Sequence, residues 1–232
     1  TAIYNEELET SVEVEVLPEQ FGLLHRYSFT DGVKDSVGVA DGWLVGPDAI
    51  VADGELQLNM GWTNYAAEVQ HAYAQIPNGV ISGLKSMTWE VWFTPGTYFA
   101  DWNRLLDFGS CNSSGDSDEY VFVSIYTGAA NHRVASRING TERFYTVRMP
   151  DLTRNYEGQQ LHMIYTYGEN GEVTAYLNGE ALASTGNNYL LGEISDNNNY
   201  IGRSAYLTDP PISYSMTEFR IWNGVMDAAT AA

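Results

Sequence analysis

The sequence predicts an all-β fold, a two-sheet antiparallel jelly-roll sandwich in one domain. Three observations carry that expectation. The 232 residues include 16 Tyr, 6 Trp and 22 Gly, a mix suited to pleated, half-buried strands and tight turns. No apolar pattern with a helical period persists over several turns between caps. Short runs of β-branched and aromatic residues recur instead, separated by Gly, Pro, Asn and Asp. With 44% hydrophobic residues the chain can bury one sizeable core, and sandwiches of roughly 200–250 residues commonly form a single domain.

Residues 1–20 stand apart. The acidic run Glu6-Glu7-Leu8-Glu9 leads into the alternation Val12-Glu13-Val14-Glu15-Val16 and stops at Pro18. This reads either as an edge strand of the chain's own sheet or as a strand donated to a neighbour, giving self-association through residues 12–16. The sandwich is expected over residues 21–226, followed by a tail over 227–232. The first runs cover residues 23–29, closed by Asp31-Gly32, then 54–58 after Asp53, then 88–93 before Pro95-Gly96. Runs at 104–108, 120–126 and 133–138 follow. Asn139-Gly140 joins the last of these to 141–147, and Asn178-Gly179 joins 173–177 to 180–184. Asn-Gly supplies the positive φ angles that a type I′ hairpin needs. Residues 161–167 turn through Gly168-Glu169-Asn170-Gly171 into the strand at Val173, a meander. A final run at 217–222 alternates Phe219 and Ile221 with Glu218 and Arg220. About a dozen strands with no helix imply two packed antiparallel sheets.

Charge excludes several function classes. Thirty acidic residues against 11 basic ones give a net charge of −19, and only Lys34 and Lys85 are lysines. Such a field repels nucleic acid and anionic lipid, so no nucleic-acid partner is expected. It also disfavours polyanionic glycans unless calcium bridges the two. The single cysteine, Cys111, cannot close an intrachain disulfide and has no zinc-ligand cluster around it. No apolar stretch approaches ~18 residues, so no membrane span is expected. No signal peptide is seen, and an opening at Thr1 is compatible with a mature, processed form, so localisation is inferred from the other features, which lead to the expectation of a secreted or cell-surface protein. Asn112-Ser113-Ser114 and Asn139-Gly140-Thr141 match the N-glycosylation pattern.

A further series of segments stands in a fixed order along the chain. They are Leu24-His25-Arg26-Tyr27-Ser28-Phe29, Asp35-Ser36-Val37-Gly38, Met87-Thr88-Trp89-Glu90-Val91-Trp92-Phe93 and Trp102-Asn103-Arg104-Leu105-Leu106-Asp107-Phe108-Gly109-Ser110. Ala175-Tyr176-Leu177-Asn178-Gly179-Glu180, Tyr200-Ile201-Gly202-Arg203-Ser204 and Glu218-Phe219-Arg220-Ile221-Trp222-Asn223 complete the set. Collinear over roughly residues 22–224, this set resembles the laminin-G-like domains of the concanavalin A-like lectin/glucanase superfamily. It implies the sandwich fold; function has to be argued from the site, because this architecture hosts lectins, glycosidases, lyases and adhesion domains alike.

A catalytic role is not expected. Glycosidases of the resembled superfamily carry paired carboxylates in a Glu-x-Asp-x-x-Glu pattern on one strand, which this sequence lacks. Asp116, Asp118 and Glu119 sit in a Ser/Gly/Asn-rich loop, Glu90 is alone on its strand, and His25, His71, His132 and His162 are scattered. Related lyases use a Tyr/His pair. The expected function is an extracellular carbohydrate-binding or adhesion module, with a glycan or other extracellular polymer as partner; a self-assembling subunit of a surface layer, fibre or appendage is the alternative.

Sugars are recognised by aromatic stacking and by planar polar groups. Trp62, Tyr65, Trp102 and Tyr206, with Tyr73, Tyr98, Tyr189 and Tyr214, lie in or beside loop-like segments, whereas Trp89, Trp92 and Trp222 fall within strands. Arg104, Asp107 and Arg203 sit in the family-like segments, and an Arg203–Asp107 ion pair is expected either to face a ligand or to hold two strands in register. The resemblance also implies a calcium ion near the first and last strands, for which Asp31, Asp35 and Glu218 are the named positions. Thr217 stands where relatives often carry Asp. The run Ser195-Asp196-Asn197-Asn198-Asn199 reads as a turn or as a rim calcium loop.

Overall fold

The computed structural model describes residues 20–60, 72–97, 100–127, 131–148, 152 and 155–232. The expected strand at residues 12–16, and with it the self-association surface, lies outside them. Fifteen strands form two antiparallel sheets among the described residues. In chain order they are β1 (Gly22–Tyr27), β2 (Trp43–Val45), β3 (Ala49–Ala52), β4 (Glu55–Leu58), β5 (Tyr73–Ile76), β6 (Met87–Pro95), β7 (Leu106–Cys111) and β8 (Ser117–Ser124). After them come β9 (Asn131–Ile138), β10 (Thr141–Arg148), β11 (Leu161–Tyr167), β12 (Glu172–Leu177), β13 (Glu180–Gly186), β14 (Asn198–Ile201) and β15 (Tyr214–Asn223). One sheet has eight strands in the order β13-β12-β11-β6-β15-β4-β3, with β1 also paired to β15; the other has seven, β10-β9-β8-β7-β14-β5-β2.

Alternation decides which side chains meet between the sheets. Trp89, Val91 and Phe93 of β6, with Phe219 and Ile221 of β15, point inward against Leu106 and Phe108 of β7 and Val121 and Val123 of β8; all are at most 1% exposed. Trp89 and Phe108 meet edge to face at 5.0 Å. Burying each such side chain stabilises the fold by about 1.5–3 kcal/mol. The hairpins form as the Asn-Gly pairs dictate: Asn139 and Gly140 take φ of 50° and 76°, Asn178 and Gly179 take 49° and 85°. Asp53 and Gly54, at 55° and 77°, turn β3 into β4 in the same way.

The structure also holds elements that periodicity does not reveal. β2, β3 and β5 are three or four residues long, too short to show a period. β14 emerges from the Asn-rich run, because Asp196 is not a free loop acid. Its carboxylate accepts the Ile81 N–H at 2.9 Å and the Ser82 hydroxyl, and the Asn199 amide donates to it at 3.4 Å. The 227–232 segment is anchored. Asp227 caps a one-turn helix, α1 (Ala228–Ala231), and Ala231 is buried with Ile164, Tyr176 and Met226. No helix among the described residues is long and apolar enough to cross a membrane.

Candidate functional site

The outer face of the seven-stranded sheet concentrates side chains capable of recognition. In β7 to β9 the inward set is Leu106, Phe108, Val121, Val123 and Val134. Asp107, Tyr120, Phe122, Arg133, Ala135 and Arg137 therefore project outward. An outward face should be wet, yet Asp107, Tyr120, Phe122 and Ala135 are at most 1% exposed. The segment 202–212 explains this by folding back over the sheet. Asp107 accepts the Ala205 N–H at 2.9 Å, Arg137 donates to the Tyr206 hydroxyl at 2.6 Å, and Tyr206 packs on Tyr120, Phe122 and Ala135.

Beside this segment opens a cleft of about 240 Å³ lined by Trp102, Arg104, Arg133, Glu142, Tyr206 and Asp209. Trp102 sits at φ 69°, a left-handed conformation that bulky residues rarely adopt. Its N–H donates to the Tyr126 carbonyl at 3.0 Å, which fixes the turn. The Arg133 guanidinium lies 4.8 Å from the Trp102 ring and 4.0 Å from that of Phe144, and pairs with Glu142 at 3.2 Å. Glu142 also accepts the Tyr120 hydroxyl.

Under the cleft lies a buried charge cluster. Arg104, 2% exposed, stacks 3.8 Å over Phe122, donates to the Trp102 carbonyl at 2.6 Å and pairs with Asp209 at 3.0 Å. Asp107 stands 3.5 Å from its Nε, in ion-pair range but without a hydrogen bond, and Asp107 Oδ1 has no partner. Burial pushes the Asp107 carboxyl up to about 6, against the pull of Arg104. Asp209 is raised for the same reason, Arg104 and the Ser204 hydroxyl opposing it.

The sequence-named residues fall as follows. Trp102, Arg104 and Tyr206 line the cleft and Asp107 lies beneath it. Arg203 is not ion-paired with Asp107, whose partner is Arg104; its guanidinium stacks 4.8 Å from Tyr73 and 4.7 Å from Tyr200. Trp62, Tyr65 and Tyr98 lie outside the described residues. Tyr214 is buried in the core, and Tyr189 packs under Arg143 at 4.0 Å. Arg133, Arg137, Glu142 and Asp209 are site residues that sequence reasoning missed. The one signal was the cross-strand Arg137–Glu142 pair that the Asn139-Gly140 hairpin imposes.

The three carboxylates named for calcium do not fit a shared ion. Asp31 is held by Lys34 at 2.7 Å, and Glu218 by Arg26 at 2.5 Å and Arg220 at 2.7 Å. Asp35 accepts four backbone N–H groups, from Arg26, Val37, Gly38 and Ala40, and bonds His25 Nδ1 at 2.7 Å. Their oxygens face donors rather than one another, and no group of three or more ligating side chains occurs among the described residues.

Two other titratable clusters lie elsewhere. Glu90, on the outer face of the eight-stranded sheet, bonds His162 at 3.1 Å, Arg220 at 3.3 Å and the Trp222 indole at 2.9 Å. Burial would raise its carboxyl, but these partners outweigh it and lower it. His132 and Tyr165 stack at 5.3 Å between the sheets, and burial holds His132 down to about 3. That pair is sealed from any substrate.

Comparison with solved structures returns the same architecture. Domain 4 of AbnA, a GH43 extracellular arabinanase from Geobacillus stearothermophilus solved with arabinotriose, superposes with a TM-score of 0.66 at 21% identity over 92% of this chain and 98% of that one. The CBM40 of the Ruminococcus gnavus IT-sialidase, bound to α2,3-sialyllactose, gives 0.53 at 16% identity over 68% and 94%. The botulinum neurotoxin type G receptor binding domain gives 0.58 at 19% identity over 90% of this chain and 49% of that one. No curated protein matches the sequence. The laminin G family model matches residues 68–232, and the chain belongs to the concanavalin A-like lectin/glucanases superfamily.

Proposed function

We propose that the chain is an extracellular, non-catalytic carbohydrate-binding module whose glycan site is the Trp102–Arg133–Tyr206 cleft. One observation carries the reading: an aromatic wall and planar polar groups converge on an open pocket and are fixed by one another rather than left to flex. Prepositioned groups of this kind bind polyols with little ordering cost. The arabinotriose and sialyllactose complexes of structural relatives support the class of ligand, and the net charge of −19 favours neutral glycans.

The cleft contains two carboxylates, Glu142 and Asp209, so hydrolysis has to be weighed. A glycosidase needs one carboxyl free to deliver a proton and another free to attack or to activate water. Here Glu142 is engaged by Arg133 and Tyr120, and Asp209 by Arg104 and Ser204. That engagement supports binding without turnover. The self-assembling alternative draws on residues 12–16, outside the described region, and no observation favours it. Binding to a glycan array is expected for the wild type and lost, by roughly tenfold or more, in Arg133→Ala. Equal binding by that variant refutes the site, and release of new reducing ends refutes the non-catalytic role.

A further inference from the structure

Carbohydrate binding at the cleft leaves the far half of the same sheet face unused, and that half is built from similar parts. β2 is the edge strand. Gly42 lets the chain enter it hard against the Gln75 carbonyl of β5, where any Cβ would collide. The register pairs Trp43 with Gln75 and Val45 with Tyr73. Ala74 and Ile76 point into the core, so Gln75, Tyr73 and Trp43 face out. Trp43 is 48% exposed although it is the largest apolar side chain on that edge. Beside it, Arg203 stacks on Tyr73 and Tyr200 and donates to the Tyr73 hydroxyl at 3.0 Å; no carboxylate pairs with it among the described residues.

An exposed indole, an amide and a guanidinium held flat on two rings are the group types that recognise a sugar ring and its hydroxyls. Trp43 and Gln75 lie on one register row with residues that run beneath segment 202–212 and the cleft: Trp43, Gln75, Tyr200, Asp107, Phe122. Four strand steps separate the ends of that row, about 19 Å at the usual spacing. A terminal sugar or a disaccharide does not bridge that span, but a chain of several sugars does.

We infer that Trp43, Gln75 and Arg203 form a second sugar subsite on the same sheet face as the cleft, reached by a ligand that crosses over segment 202–212, so that the ligand is the interior of an extended neutral glycan chain rather than a terminal sugar. The inference rests on the carbohydrate reading of the cleft.

Titration calorimetry with linear arabinan, xylan and β-glucan oligosaccharides, each as trisaccharide and hexasaccharide, tests it. At least one hexasaccharide is expected to bind the wild type roughly tenfold more tightly than its trisaccharide. Trp43→Ala should abolish that gain and leave trisaccharide affinity unchanged, whereas Arg133→Ala weakens both. Gln75→Ala, with the same expected pattern, keeps the test decisive should Trp43→Ala unsettle β2. Length-independent affinity, or a gain retained in both subsite variants, overturns the inference and leaves the cleft standing. If no oligosaccharide binds, the cleft reading falls and the subsite with it.

Discussion

Replacing Asp107 with Asn tests the buried charge cluster under the cleft. Asp107 is fully buried and its charged surroundings are Arg104, Asp209 and Arg203. Lifting a carboxyl from 3.8 to about 6 disfavours its ionised form by about 3 kcal/mol. The folded state therefore holds the proton more tightly than the unfolded state between those two values. Stability contributed by this group is full below pH 4, falls as pH rises toward 6, and is flat above that. In urea titrations from pH 4 to pH 7, the wild type should lose about 2 kcal/mol relative to Asp107→Asn. The slope is the observable, because Asn places an NH2 group where Oδ1 now lacks a partner and so adds a constant offset. A difference that does not change with pH refutes the argument. One that grows in favour of the wild type as pH rises would mean that the Arg104 charge outweighs burial.

Two further outcomes are expected. Asp35→Ala strips four backbone N–H groups and His25 of their acceptor, costing about 3 kcal/mol in urea unfolding at neutral pH. Burial works against the Asp35 charge but those bonds prevail and hold the carboxyl down to about 2, so the wild-type margin should shrink as pH falls from about 4 toward 2, the opposite sense to Asp107. Gly109→Ala would drive a Cβ into the Glu119 carbonyl at the β7–β8 irregularity; a loss of about 2 kcal/mol or more in thermal unfolding is expected, and an unchanged melting temperature would show that the bulge relaxes freely.

The fold was legible wherever local chemistry is sufficient. Asn139-Gly140 and Asn178-Gly179 dictate their turns through φ alone, and the alternation at Trp89, Val91 and Phe93 fixes a face. β2 and β14 escaped because three or four residues carry no period, and because Asn198 and Asn199 read as turn formers until strand pairing is known. Trp102, Arg104 and Tyr206 could be picked out as a loop aromatic pair and a family-like arginine. Glu142 could be reached only through its pairing with Arg137 across the Asn139-Gly140 hairpin, and Arg133 and Asp209 not at all, since nothing local reveals that segment 202–212 folds over one half of the sheet and leaves a cleft beside it. The expected Arg203–Asp107 pair failed for a related reason: adjacency on a face does not choose between two arginines, and Arg104 reaches Asp107 from within the cluster while two tyrosine rings capture Arg203.

β15, the last strand of the chain, pairs with β6 along one side and with β4 and β1 end to end along the other. The strand at the centre of the larger sheet is thus the last of the described strands to be synthesised. Until residues 214–223 emerge, β1, β4 and β6 each expose a hydrogen-bonding edge with no legitimate partner, and the interval before closure is when the larger sheet is most open to mispairing.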